Sequence, residues 1–156
     1  MQAAAPEADC LRLIGASDGA AIASCAADGD AEASYAPVLQ HGGIFYVYVS
    51  GLAKHTGNLL CRRQGSLLFL GEASGNPFAR PRASVSCTVA ELEPDHPHYV
   101  ELLDSLEARF GNVVGLLRTL PDFRLLALTP IRYHYVAGFG KAYTFAANPN
   151  EPAPSD

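Results

Sequence analysis

Apolar and polar residues alternate over much of the first half of the chain, a pattern typical of half-buried β-strands. The alternation predicts strands at residues 19–26, 33–40 and 43–49. Turn-forming residues separate them, with Asp28-Gly29 after the first strand and Gly42-Gly43 before the third. Asp-Gly tolerates the positive φ angles of a tight hairpin. The first half of the chain is therefore predicted to form a β-meander.

Apolar residues at helical spacing predict four helices, of which residues 95–110 form the longest. The others are predicted at residues 6–16, 52–63 and 112–120. Further strand-like runs lie at residues 66–70, 79–92, 123–128, 133–137 and 141–145. We expect six or seven strands to form a β-barrel with peripheral helices, which is a mainly β (α+β) fold.

The composition adds a core, an interface and a tail to this picture. The chain has 156 residues, of which 49% are hydrophobic and only 17% are charged. One hydrophobic core and an apolar subunit interface are both expected from these values. Residues 148–156 are polar and Pro-rich, which predicts a disordered tail after a single domain at residues 1–147.

Charge and cysteine usage exclude several classes of protein. The net charge of −5 argues against a general nucleic-acid-binding protein, which would show a basic excess. Neither a secretory signal nor a membrane-spanning run is recognisable, so a cytoplasmic protein is expected. Four widely spaced cysteines form no C-x-x-C pair and are predicted to be reduced thiols, mostly in the core: Cys10, Cys25, Cys61 and Cys87. No carboxylate or cysteine cluster accompanies His96 and His98, so no metal site is predicted.

The transition at residues 50–60 carries the first candidate site. A strand-like run ends at Ser50-Gly51, and the Ser50 hydroxyl is expected to cap the helix that follows. Lys54 and His55 fall in the first helical turn, where free N–H groups and the helix dipole disfavour cations. An anion would remove that cost, so the sequence predicts a phosphate cradle. The alternative is an ordinary solvated helix start.

A second basic segment lies on the long predicted strand. Arg80 and Arg82 are two residues apart, which places both on one face with the hydroxyl residues Ser84, Ser86 and Thr88. Paired arginines suit the forked hydrogen bonding of a phosphate or carboxylate. The alternatives are a solvated strand face and an ion pair with the acidic residues of the long helix, Glu101, Asp104 and Glu107.

Two further segments have structural interpretations. Asp122 precedes a predicted strand and is expected to hold the turn there. The aromatic segment 133–140 is typical of cross-strand packing, and a surface for a planar ligand is the other interpretation. No G-x-S-x-G turn supports a Ser-His-Asp triad, and no catalytic residue is assigned.

Six motifs in a fixed order identify a family resemblance. They are S-Y-A-P-V from Ser34, Y-V-S-G-L-A-K-H-T-G-N-L from Tyr48, N-P-F-A-R-P-R from Asn76, R-F-G from Arg109, L-P-D-F from Leu120 and Y-V-A-G-F-G-K-A-Y from Tyr135. Together they make the chain resemble the haem-utilisation branch of the pyridoxamine 5'-phosphate oxidase-like, FMN-binding split barrels. The resemblance extends from about residue 11 to about residue 145.

The resemblance implies a six- to seven-stranded split β-barrel of the FMN-binding type at residues 1–147, assembled as a homodimer. Two ligand sites would lie at the subunit interface. In flavin-binding members the matching turn and helix hold the FMN phosphate, and the arginine-bearing strand approaches the same anion. The implied cofactor-binding residues are Ser50, Lys54, His55, Thr56, Asn58, Arg80 and Arg82.

The resemblance also implies a haem site that this sequence lacks in part. In haem-degrading relatives a His in a C-terminal extension ligates the haem, assisted by the acidic residue that matches Asp122. No His follows His134 here, which favours an FMN-dependent oxidoreductase acting on an unknown small molecule. Haem would then bind weakly and without a defined axial ligand. The alternatives are a haem-binding or haem-degrading protein in iron acquisition, and a non-catalytic cofactor-binding module.

Overall fold

The computed structural model describes residues 5–73 and 75–147. Its first half contains α1 (Pro6–Gly15), β1 (Gly19–Cys25), β2 (Ala31–Pro37), β3 (Leu39–His41), β4 (Ile44–Ser50), α2 (Lys54–Arg62) and β5 (Gln64–Leu70). Its second half contains a 3₁₀ helix (Pro77–Ala79), β6 (Arg82–Leu92), α3 (Tyr99–Phe110), α4 (Asn112–Leu117), β7 (Phe123–Gly138) and β8 (Lys141–Ala146). The tail predicted at residues 148–156 lies outside the described residues.

The strands form one antiparallel sheet of eight members in the order β2-β1-β5-β6-β7-β4-β3, with β8 added to β7. β7 pairs with β6 over residues 125–136, with β4 over residues 123–128 and with β8 over residues 132–138. The sheet curls into an open barrel with helices outside it. The prediction of a mainly β split barrel with peripheral helices is confirmed, and the sheet has eight strands where six or seven were expected.

Two strand boundaries differ from the prediction. The run 33–40 is divided into β2 and β3, because the Val38 N–H leaves the ladder and donates to the Asp18 carbonyl at 3.0 Å. The runs 123–128 and 133–137 form the single strand β7. A register shift between Ser86 and Cys87 leaves Ile131 as an extra residue beside Pro130, and a bulge is where a sheet tolerates proline.

The core has two parts on the two faces of the sheet. The barrel interior holds the larger cluster, which includes Ile22, Leu67, Phe69, Val85 and Leu128. The second cluster lies beneath α3 and α4 and includes Leu102, Leu103, Leu106 and Leu125. Each cluster packs against one face of β7, which is therefore covered by apolar side chains on both sides.

Two of the four cysteines, Cys10 and Cys87, are buried in the barrel cluster, and all four are free thiols. Burial raises the pKa of Cys10 to about 11 and that of Cys87 to about 12. Both thiols therefore stay protonated and act as small apolar side chains. Each helix within residues 5–73 and 75–147 is too short or too polar to cross a membrane.

Candidate functional site

The turn between β4 and α2 is built around the Ser50 side chain. The Ser50 hydroxyl accepts a hydrogen bond from the Leu52 N–H at 3.1 Å and donates one to the Asp122 carboxylate at 2.8 Å. Helix α2 begins at Lys54 rather than at residue 52, and its N-cap, Ala53, provides no side-chain bond. The prediction that Ser50 caps the helix was wrong: its hydroxyl caps the preceding turn and ties it to Asp122.

Gly51 fixes this turn against the start of β7. Its N–H donates to the Asp122 carbonyl at 2.6 Å. A Cβ atom at position 51 would lie 2.7 Å from that same carbonyl oxygen, which is closer than such contacts allow. Glycine is therefore required by the close approach of the two backbones.

Thr56 and Asn58 hold the turn and helix in place. The Thr56 hydroxyl is buried and donates to the Ser50 carbonyl at 2.6 Å. The Asn58 amide donates to the Ser24 hydroxyl on β1 at 3.2 Å. Both polar groups are thus occupied within the protein, and their predicted contact with a cofactor stays a prediction.

Lys54 and His55 are the cradle residues that remain open to a ligand. Lys54 is exposed and forms no ion pair with any residue that the structure describes. Within the same residues, the backbone N–H groups of Lys54 and His55 have no acceptor. The turn therefore presents two free N–H groups, one ammonium and the positive end of a helix to solvent.

His55 is half-buried, and burial lowers the pKa of its imidazole below the usual value of 6.5. The nearby Glu32 carboxylate acts in the opposite direction with a smaller effect. His55 is consequently neutral at pH 7. It adds no positive charge to the cradle, but a neutral imidazole can ligate a transition metal.

The sequence predicted Arg80 within a strand, but in the structure Arg80 lies before the start of β6. Residues 77–79 form a 3₁₀ helix, begun by the Asn76 side chain, which accepts from the Phe78 N–H at 2.9 Å. Arg80 follows this helix and donates to the Gly71 carbonyl at 2.9 Å. Arg82 is the first residue of β6 and donates to the Arg80 carbonyl at 3.0 Å.

The alternative ion pair between these arginines and α3 is not formed among the described residues. Arg118 instead contacts Asp104 and Glu107, each at 2.9 Å. These two bonds raise the pKa of Arg118 and fasten α4 to α3. Asp104 and Glu107, two of the predicted acidic partners of Arg80 and Arg82, therefore pair with Arg118 instead.

Arg82 and the cradle lie beside opposite ends of strand β7 in one protomer. Ser50 pairs with Phe123 at the start of β7, whereas Arg82 pairs with Val136 near its end. At about 3.3 Å per residue, these positions are about 40 Å apart along the strand. The cofactor contacts predicted for Arg82 and for the cradle at a subunit interface both stay predictions.

Asp122 lies at the cradle, although it was not among the predicted cofactor-binding residues. It was predicted to hold a turn, and its carbonyl and carboxylate do hold the Ser50-Gly51 turn. Its carboxylate is thereby brought to the cradle from 72 residues away. The rings of Tyr48 and Phe123 pack together nearby in a tilted arrangement, with centroids 5.3 Å apart. The segment Leu120-Pro121-Asp122-Phe123 indicated a turn from the sequence, but the sequence did not show that Asp122 bonds to the Ser50-Gly51 turn.

Comparisons with known proteins agree with this architecture. The family model described as pyridoxamine 5'-phosphate oxidase matches residues 7–137. The heme oxygenase HutZ of Vibrio cholerae is 31% identical over 124 residues, which cover 78% of this chain and 70% of HutZ.

Solved structures show the same fold. The crystal structure of HutZ, described as a heme storage protein of V. cholerae, superposes with a TM-score of 0.75 at 23% identity, covering 92% of this chain and 95% of that one. A heme binding protein from Mycobacterium smegmatis superposes with a TM-score of 0.76 at 20% identity, and the match covers 94% of this chain and 60% of that one.

The open barrel and the matched residues define the class: the chain belongs to the pyridoxamine 5'-phosphate oxidase family. Within that family it falls in the haem-utilisation branch, where HutZ is its 31% identical relative. The resemblance stated from the six sequence motifs is confirmed.

Proposed function

We propose that this chain is a haem-binding protein. The observation that carries the proposal is the neutral, half-buried imidazole of His55 beside the free Lys54 ammonium at the start of α2. The similarity to a heme oxygenase over 78% of the chain supports it, and so does the shared fold with a heme binding protein. FMN, the leading cofactor of the sequence analysis, becomes the second candidate.

The residues of the cradle fit the chemistry of haem. A neutral imidazole is a common ligand of haem iron, and haem carries propionate carboxylates. In the proposed site His55 would hold the iron, while Lys54 and the free N–H groups of the first turn would bind a carboxylate. Bound haem would supply the redox-active iron. The Ser50–Asp122 hydrogen bond would keep the turn in position, since it fixes both backbones.

Haem titration tests this proposal directly. Wild-type protein is expected to give the sharp absorption band of His-ligated haem. His55→Ala should lose that band and bind haem about tenfold or more weakly, which corresponds to at least about 1.4 kcal/mol. Because burial lowers the pKa of His55, ligation should persist at pH 7, and it should be lost only at a pH below that lowered pKa, since iron competes with the proton for the imidazole.

His134→Ala is the matched control, because His134 is exposed on β7 and its ring is hydrogen-bonded to the Thr144 hydroxyl at 2.9 Å. It should leave the spectrum unchanged. A spectrum close to that of free haem in the wild-type protein would contradict haem binding at the cradle. Loss of the band in His134→Ala with retention in His55→Ala would place the ligand elsewhere.

FMN is the second candidate because the same turn offers an ammonium and free N–H groups to a phosphate. Lys54→Ala is expected to weaken FMN binding about ten- to a hundredfold, since a charge-assisted hydrogen bond contributes about 1.5–3 kcal/mol. Riboflavin, which has no phosphate, should be unaffected. Equal losses for FMN and riboflavin in a calorimetric titration would mean that the phosphate lies elsewhere. If FMN is the cofactor, the proposed activity is that of a flavin-dependent oxidoreductase.

A homodimer with the cradle at its interface is part of the proposal. Leu52, in the cradle turn, is 87% exposed, and Tyr35 on the edge strand β2 is 64% exposed. Large apolar side chains exposed to solvent are often covered in a subunit interface. Sedimentation at micromolar concentration should give twice the chain mass. A stable monomer would contradict the proposed dimer. The cytoplasmic location of the protein is a separate prediction.

A further inference from the structure

The guanidinium of Arg124 lies against the cradle turn. A Cβ atom at position 51 would be 3.2 Å from the Arg124 Nε atom, so the side chain rests on the backbone of Gly51. The same turn is bonded to Asp122, since the Gly51 N–H donates to the Asp122 carbonyl at 2.6 Å. Lys54 and His55 follow directly along the chain. Arg124 is therefore a further cation beside the cradle, and the sequence motifs did not include it.

Strand alternation places Arg124 and Glu91 at the cradle end of the barrel interior. Arg124 is two residues from Leu126, Glu91 is two residues from Val89, and both apolar residues belong to the barrel cluster. Side chains two residues apart share one face of a strand. Arg124 also pairs in register with Val49, which directly precedes the cradle turn. The two charged side chains thus lie on the barrel face of the sheet and not beneath α3 and α4.

Arg124 is held only weakly in this position. Its one polar contact within residues 5–73 and 75–147 is an ion pair with the Glu91 carboxylate at 3.5 Å. Arg118, by comparison, has two carboxylate partners at 2.9 Å each. The Arg124 side chain is 48% exposed, and a long, exposed ion pair of this kind contributes little. Most of its five N–H donors are therefore open to a ligand.

Glu91 is the group with which an anionic ligand would compete. Its side chain is 20% exposed, and Arg124 is its only ion-pair partner in the part of the chain that the structure describes. An anion that takes the guanidinium deprives the Glu91 carboxylate of its partner and is repelled by it. Removal of the Glu91 charge should therefore favour an anionic ligand, whereas removal of the Arg124 charge should disfavour it.

From these observations we infer that Arg124 is a second anion-binding residue of the cradle and favours ligands that carry two separate carboxylates. The inference rests on the proposed haem function, in which Lys54 and the free N–H groups would bind one propionate. Arg124 would bind the other propionate through its forked N–H groups. Glu91 acts through Arg124, because its charge sets how readily the guanidinium is released to a ligand.

Absorption titration with haem and with its dimethyl ester tests the inference, because the ester keeps the iron and the porphyrin but carries no carboxylate charge. Arg124→Gln should weaken haem binding about tenfold or more and change ester binding by less than about twofold. Glu91→Gln should strengthen haem binding about two- to fivefold, the range of an exposed ion pair, and leave ester binding unchanged. A gain of affinity is a result that a merely structural role of Glu91 would not produce. Both variants should keep the absorption band of His-ligated haem, since His55 is untouched.

Arg12→Gln is the matched control for the change of charge. Arg12 is exposed on α1, and like Arg124 it has one carboxylate partner, which is Asp9. The substitution should change neither titration. Equal weakening of haem binding by Arg12→Gln and Arg124→Gln would indicate a general effect of net charge and would overturn the inference.

Three other outcomes would also overturn it. Unchanged haem binding in Arg124→Gln would mean that Arg124 does not contact the ligand, and equal weakening of haem and ester would mean that it only supports the turn. Weakening of haem binding by Glu91→Gln would mean that the ion pair holds the turn and does not compete with a ligand. The proposed function fails differently: absence of the band in wild-type protein, or its retention in His55→Ala, would reject the haem site itself.

Discussion

Phe69→Ala is expected to lower the free energy of unfolding by about 3–5 kcal/mol, the cost of removing a fully buried aromatic ring. Phe69 lies on β5 in the barrel cluster with no exposed surface, and its ring is 5.4 Å from that of Phe45. The neighbouring strands cannot collapse into the space, because their positions are fixed by the sheet. Urea unfolding followed by circular dichroism measures the loss.

Phe78→Ala is the matched control for this prediction. The same ring is removed, but Phe78 is 80% exposed, so stability should change by no more than about 0.5 kcal/mol. If Phe69→Ala does not fold, Phe69→Leu should still show a measurable loss, since it leaves a smaller cavity. Similar unfolding midpoints for Phe69→Ala and Phe78→Ala would contradict the assigned core.

Gly51→Ala is expected to damage the cradle while leaving the barrel folded. The new methyl group would lie 2.7 Å from the Asp122 carbonyl oxygen and 3.2 Å from the Arg124 Nε atom. The backbones must separate, which costs about 1–3 kcal/mol of stability and weakens the 2.6 Å bond between Gly51 and Asp122. Haem or FMN binding should weaken as well, because the turn that positions Lys54 and His55 moves.

Gly57→Ala separates this steric effect from the general effect of adding a methyl group. Gly57 is exposed in α2, and its added Cβ would meet nothing within 4 Å. Alanine is preferred over glycine within a helix by about 1 kcal/mol, so this variant should be more stable and should bind normally. Destabilisation by Gly57→Ala equal to that by Gly51→Ala would contradict the close approach at position 51.

The sequence allowed the strands to be predicted wherever alternation was strong. On β6, Val85 and Cys87 are buried while Ser84 and Ser86 face the other side, as their spacing indicated. The division at Val38 and the continuity of β7 across Pro130 were not predictable. Both depend on partners distant in sequence: Val38 bonds to Asp18, and β6 pairs with β7 on both sides of the bulge.

The candidate site was predictable only where it is local. Lys54 and His55 were correctly placed in the first turn of a helix, because strand and helix patterns meet there. The burial of Thr56 and the Ser50–Asp122 bond depend on tertiary packing. The pairing of Arg80 with Arg82 on a strand was wrong because Asn76 and Pro77 begin a 3₁₀ helix instead.

The bond between Ser50 and Asp122 also sets the order in which the protein can mature. Its two partners are 72 residues apart, and contacts of such separation form late because the intervening chain must first close into a loop. During synthesis, α2 is complete long before Asp122 leaves the ribosome, so a nascent chain carries Lys54 and His55 on an unanchored turn. The proposed capture of a cofactor at the cradle would therefore follow the docking of β7.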